Sequence, residues 1–316
     1  MARILEDYAT EHKAFRKAIV AAATYGHLEV VSCFLPQLVG SGRDPDLLRE
    51  MHNVTWEVLD IAAANGRLNI VTFAVEIAIK WCYLELYTPT SGVDALRLSI
   101  AGGHFHMAQF FLELYQIKWN MLAACEEAVI ADQFILVEWI FVLYSQYSAS
   151  EHLLIDLVQN GQAVAVRYLC ENFQMCPEII DTAFRLAKKI EVVRALYETR
   201  PIAVGSITVK FRDAARCGIY EEVQCYPGDE EIEIVQLLSK DERIPSHVLR
   251  KAFVDAANNC HETLLKLLWD DNRLDSQTRV RAFMKAVSNN HVDVVKSLCA
   301  EDHVSSYLEG QALFLA

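Results

Sequence analysis

Four histidines share one place in the internal pattern of this chain. His27, His104, His261 and His291 each follow by one residue a position that is most often glycine. A column of imidazoles could form a ladder of metal ligands or acid–base groups. Rungs on neighbouring packed helices stand roughly 10 Å apart, too far to share one ion. The simpler expectation is a polar residue capping the helix that starts there. His104 and His106 are two residues apart and so face different sides of a helix. His261–Glu262 opens like a zinc-binding helix but continues Thr263, Leu264, Leu265, with no second histidine. The nine cysteines are scattered, and Cys170 and Cys176 match no common zinc spacing. Cys33, Cys170 and Cys299 fall in the last turns of apolar segments, where a thiol is expected to be structural. Gly102–Gly103 is followed by His104 and lacks the Lys-Ser/Thr ending of a phosphate loop, and no serine nucleophile elbow occurs. The residues thus predict no catalytic group, no metal, no cofactor and no small-molecule substrate.

Groups suited to binding are easier to find. Trp81, Tyr83 and Tyr87 follow one apolar segment, Tyr115 and Trp119 the next, Tyr144 and Tyr147 the one after, and Phe173 a fourth. Aromatic side chains dominate interface hot spots, which nominates Trp81, Tyr83, Tyr115, Trp119, Tyr144 and Tyr147 for partner binding. The same residues would equally serve to pack one segment against the next. The acidic run Asp229–Glu233 (DEEIE) has two readings as well: a dock for a basic partner, or a helix start at which carboxylates suit the helix dipole.

The elements that carry these residues follow from a ruler. Small residues, a glycine, an apolar pair and a last apolar position recur along the chain, with the glycine slot at Gly26, Gly66, Gly103, Asp132, Gly161, Lys188, Gly218, Cys260 and Asn290. The mean interval is 33 residues. Small pairs such as Ala22–Ala23, Ala62–Ala63 and Ala256–Ala257 precede the slot, where they allow close helix approach. Apolar pairs such as Ile70–Val71, Val192–Val193 and Leu264–Leu265 follow it. A further apolar residue comes eight past the slot, one helical turn on, as at Phe111, Ile140, Leu169 and Leu268. Each unit of the pattern reads as two short antiparallel helices joined at the slot. In the seventh unit the second helix arrives about twelve residues late, at Glu233–Leu238, which marks residues 219–230 as an insertion forming an outward loop.

GHLEVV at Gly26–Val31, preceded by Ala22–Ala23, and NNHVDVVKSL at Asn289–Leu298 resemble the middle of an ankyrin repeat. The spacing extends over nearly the whole chain, although the letters fade from the third to the seventh unit. The Thr-Pro-Leu-His opening of that family is missing, so its regular β-hairpin fingers are expected to be short or absent. The divergent arrays of oomycetes, amoebae and giant viruses are the most similar. What the resemblance implies is a curved solenoid that binds proteins on its concave and loop face.

Composition narrows the rest. At 316 residues, with 53% hydrophobic and 22% charged residues, the chain is folded and exceeds one ordinary globular core. Gly (12) and Pro (7) are sparse, as in helices with short connections. A net charge of −13 disfavours nucleic acid and anionic membranes as partners, although it describes a sum and not a map. No signal peptide or transmembrane stretch is legible, and unpaired cysteines suit the cytoplasm or nucleus. The expected fold is all-α, a single ankyrin-like solenoid over residues 1–316 of about nine helix pairs, with an incomplete tenth from about 304. After that point the chain stops on Leu313, Phe314 and Leu315, as a truncated array would, or one whose apolar end folds back or meets a partner. The expected function is a non-catalytic scaffold or adaptor for a protein partner. The alternatives are the recognition arm of a larger protein and an enzyme whose site is built on inserted loops.

Overall fold

The structure, a computed structural model, describes residues 2–36, 45–82, 94–114, 117, 119–147, 153–216 and 229–300. Among these residues there are eighteen helices and no strand, so the all-α expectation holds. The chain divides into two compact units, Met1–Leu153 and Leu154–Ala316. The first contains α1 (Ala2–Tyr25), α2 (Leu28–Phe34), α3 (Pro45–Ala64), α4 (Leu68–Cys82), α5 (Ala95–Ala101), α6 (Phe105–Leu112), α7 (Met121–Ile130) and α8 (Phe134–Tyr147). The second opens with α9 (Leu153–Asn160) and continues through α10 (Ala163–Asn172), α11 (Pro177–Leu186), α12 (Ile190–Thr199), α13 (Val204–Arg216), α14 (Asp229–Ser239), α15 (Ser246–Asn258), α16 (Glu262–Leu268), α17 (Ser276–Ser288) and α18 (Val292–Ala300). The tenth-repeat expectation and most of the insertion fall outside the described residues.

The reversal between the helices of a pair is decided at the slot. Gly26, Gly66, Gly103, Asp132, Gly161, Cys260 and Asn290 all have positive φ, between 55° and 88°. The amide one residue past the slot donates to the carbonyl four before it: His27 to Ala22 (2.9 Å), Arg67 to Ala62 (2.8 Å), His104 to Ser99 (2.8 Å), Gln133 to Ala128 (2.8 Å), His291 to Ala286 (2.9 Å). These are Schellman closures, in which a left-handed residue lets the chain satisfy the last carbonyls of the first helix and turn back at once. Glycine is the cheapest residue there, and Asp and Asn tolerate the conformation better than most. The slot at Lys188 departs from the pattern. Ala187 is extended (φ −57°, ψ 126°) and Lys188 is not left-handed. The Lys210 ammonium, from the following pair, donates to the Ala187 carbonyl and satisfies it instead.

Helices pack in two rows. In the first unit α3 lies between α1 and α5, and α5 meets α7, while α2 packs on α4 and α6 on α8. In the second, α11, α13, α15 and α17 form one row and α10, α12, α14, α16 and α18 the other. The apolar columns meet between the rows. Ala23, Ala62, Ala63 and Ala257 are fully buried, as are Ile70, Val71, Val192, Val193, Phe111, Ile140, Leu169 and Leu268. Alanines at the crossing keep the helices close, and each large buried side chain contributes about 1.5–3 kcal/mol.

The histidine column does not cap as expected. His27, His104 and His261 hold the N-cap positions of α2, α6 and α16 without a side-chain cap hydrogen bond. Side chains of this column reach back to the preceding pair. Arg67 Nε donates to Thr24 O (3.2 Å), His291 Nε2 donates to Asn258 O (2.8 Å), and the His104 ring lies over Gly66. N-cap backbone at φ near −85°, ψ near 70° directs the side chain along the row instead of onto its own helix.

Arginines tie the connections of the second unit. Arg200 Nη2 donates to Phe173 O (2.7 Å), Arg243 Nη1 to Ile202 O (3.2 Å), and Arg273 Nη1 to Asp241 O (2.9 Å). Arg243 is gripped in turn by Asp241 (Nε–Oδ1 3.0 Å, Nη2–Oδ2 2.8 Å) and Arg273 by Asp271 (2.9 and 2.6 Å). Two paired N–H groups fit the two carboxylate oxygens only for a planar guanidinium. Burial pushes Asp241 up, but hydrogen bonds from Arg243 and Tyr197 outweigh it and hold its carboxyl below the usual range. Buried Ile244 and Leu274 follow the two arginines and fix the loops to the core. The signal was legible as Asp-x-Arg-Ile/Leu at Asp241–Ile244 and Asp271–Leu274, a motif that the slot ruler does not look for.

Two predictions follow from these ties. A Cβ on Gly66 would come within 2.5 Å of the His104 ring, whereas one on Gly103 would meet nothing within 4 Å. Gly103→Ala therefore costs about 1 kcal/mol, the left-handed penalty alone, and Gly66→Ala costs about 1–3 kcal/mol beyond that. Adding His104→Ala to Gly66→Ala recovers part of the excess, measured as a double-mutant cycle in urea. Arg273→Lys, which loses the fork, lowers the unfolding free energy by about 2 kcal/mol in the same measurement. A change below about 0.5 kcal/mol would show that the fork is not needed.

Candidate binding surfaces

Helix α8 contains no Gly or Pro and is apolar almost all round, so nothing in its sequence selects a single inward face. Leu136, Val137 and Ile140 take the buried side. Ile135 (65% exposed), Trp139 (41%) and Val142 (51%) occupy i, i+4 and i+7 of the opposite side and form an outward stripe beside Glu138. Exposed Ile130, at the end of α7, and Phe134 extend the apolar surface. An apolar stripe turned to solvent marks a place where another surface sits.

The aromatic set nominated from sequence fares differently residue by residue. Trp119 is 6% exposed, with its ring 4.7 Å from that of fully buried Phe111, and so packs the core instead of offering a contact. This corrects its place among the partner-binding residues: Ile117 and Trp119 fold inward because α7 starts immediately afterwards, at Met121. Tyr144 is half-buried. Trp81, Tyr144 and Tyr147 belong to α4 and α8 and not to connections, because no helix breaker intervenes after the apolar column. The side chains of Trp81 and Tyr147, and all of Tyr83, Tyr87 and Tyr115, lie outside the described residues. Sequence reasoning missed Ile135 and Trp139, although the apolar run Phe134–Tyr144 (FILVEWIFVLY) was their signal.

The acidic run is a helix start. Asp229 and Glu230 belong to the first turn of α14, which moves the end of the insertion back to residue 228. Glu230 accepts a hydrogen bond from the Ile190 amide (2.6 Å), so one carboxylate of the run serves the first turn of the neighbouring α12.

A second surface lies between α15 and α17. A cleft of about 590 Å³ is lined there by His247, Arg250, Lys251, Asp255, Asp275 and Arg281, with Val254 at its wall. Asp275 is the N-cap of α17 and accepts from the Thr278 amide and hydroxyl (both 2.7 Å), which hold its carboxyl below the usual range. Arg250 pairs with it at 2.9 Å. The chain's negative total had concealed this patch.

In the first unit, burial followed by the nearby Asp94 charge pushes the Asp60 carboxyl on α3 from its ordinary 3.8 up to about 7. The Asp94 and Ala95 amides at the start of α5, and Arg97 beside them, pull the other way without winning. Burial raises the thiol of Cys125 to about 12, which keeps it protonated and inert. No group of three or more His, Cys, Asp or Glu converges among the described residues, and none of the described helices is long and apolar enough to cross a membrane. No protein-family model matches the chain, nor does any curated protein.

A folded-state pKa raised above the unfolded value means that the native state favours the protonated acid. Stability from this group is therefore complete at low pH and is lost as pH rises from 3.8 to about 7. Asp60→Asn removes that loss. The stability of the variant relative to the parent, followed by urea unfolding, grows over this interval and levels off above it. A difference independent of pH would show that Asp60 titrates normally.

Proposed function

We propose that this chain is a divergent ankyrin-like array of about nine helix pairs that works without catalysis, as a scaffold or adaptor for another protein. The coincidence of the sequence ruler with seven left-handed Schellman residues supports the repeat reading. Rows of helix pairs, each touching only its neighbours, leave long surfaces free for a partner. Scattered cysteines support a reducing compartment, the cytoplasm or nucleus.

The observation that carries the binding role is the outward stripe of α8. Ile135 and Trp139 expose large apolar side chains in register on one helix face, at a cost in solubility that a partner surface would offset. Trp at the centre of such a stripe is the residue type that most often dominates an interface. The test is capture from extracts of the source cell by the full chain and by an Ile135→Ser/Trp139→Ser variant. Both positions are exposed, so the variant keeps its fold, checked by circular dichroism. The expected outcome is a protein recovered by the parent and depleted at least about tenfold with the variant, a loss of about 1.4 kcal/mol. Equal recovery of the same proteins by both would overturn the assignment to α8.

A further inference from the structure

In the last three helix pairs of the second unit the two members differ in charge. Helices α13, α15 and α17 carry three, two and three Lys or Arg, against Asp213 and Asp255 alone. Their partners α14, α16 and α18 carry four, one and one Asp or Glu, against Lys266 and Lys296. The cleft lies between two of the basic helices, α15 and α17. Within it Arg250 is neutralised by Asp275, whereas exposed Lys251 and Arg281 make no ion pair among the described residues, and only Asp255 opposes them. Lys285 lies one turn further along α17, also exposed and without an ion pair.

We propose that this cleft binds an acidic peptide segment, with Lys251 and Arg281 pairing its carboxylates. The inference rests on the reading of the chain as a protein-binding array, and it names a second surface with its own chemistry. Neighbouring helices pack roughly 8–10 Å apart, about the rise of three residues of polyproline II chain, in which every third side chain returns to the same side, so a Glu-x-x-Glu segment in that conformation crossing the two helices places one carboxylate at each cation. Asp255 and Asp275 accept from the peptide's backbone amides. The same two carboxylates oppose a nucleic acid, whose binding runs on uninterrupted phosphate neutralisation. A small apolar ligand is a poor match for walls made mainly of charged groups.

The test is fluorescence anisotropy of labelled probes with the full chain: a twelve-residue peptide repeating Glu-Ser-Ser, its Gln-Ser-Ser counterpart, and a shorter single-stranded oligonucleotide with the same net charge as the Glu peptide. The Glu peptide binds and the Gln peptide does not. Affinity falls at least about tenfold in Lys251→Glu/Arg281→Glu and also falls with added salt. The control Lys266→Glu/Lys296→Glu, on α16 and α18, leaves it unchanged. Should the Glu variant fail the circular-dichroism check, Lys251→Gln/Arg281→Gln replaces it, with a smaller loss expected. The proposal is overturned by no binding of the Glu peptide, by equal affinity for parent and cleft variant, or by tighter binding of the oligonucleotide. The Ile135→Ser/Trp139→Ser variant binds the peptide like the parent, so failure at the cleft leaves capture at α8 standing, and the reverse.

Discussion

One backbone constraint recurs through the described structure: a residue with positive φ at the end of the first helix of a pair. It lets two orphan carbonyls find amides within the turn, so the chain can reverse in about two residues without exposing unsatisfied backbone. A reversal that short holds the second helix against the first at a fixed crossing and sets the register in which the apolar columns meet. The pair without this residue, at Lys188, shows what replaces it. An extended turn leaves a carbonyl open, and Lys210 from the next pair closes it. The constraint can therefore be met locally or by a neighbour, but it is met.

Between pairs the second unit relies on guanidinium groups. Arg200, Arg243 and Arg273 each reach the carbonyls of the preceding connection, and the last two are preset by a carboxylate two residues earlier. Helix pairs joined without strands in these connections need another source of inter-pair hydrogen bonds, and a planar donor with five N–H groups supplies several from one side chain. The slot-following column supplies inter-pair hydrogen bonds as well, through Arg67 and His291. At these positions polar groups hold neighbouring pairs together.

The exposed surfaces are what this packing leaves over. A helix that is apolar on every face has to leave some of it outside when it packs on one side only, and α8 does so with Ile135 and Trp139. The excess of Lys and Arg on α13, α15 and α17 creates a local field opposite in sign to the chain's total of −13. The two surfaces differ in chemistry, one apolar and one cationic.

The helix pairs, their reversal points and their buried columns were legible in the residues because each depends on neighbours within one or two turns. A left-handed position favours Gly, Asn or Asp wherever it falls, and an apolar pair followed by another apolar residue a turn later marks the inward stripe of any helix. The inward turn of Trp119, the outward turn of Trp139, the buried acid of Asp60 and the cleft between α15 and α17 were not legible. Each depends on which helix lies alongside, at what distance and with what charge. Two tryptophans in similar apolar stretches carry the same local signal, and only the presence or absence of a neighbouring helix over the ring separates core from surface.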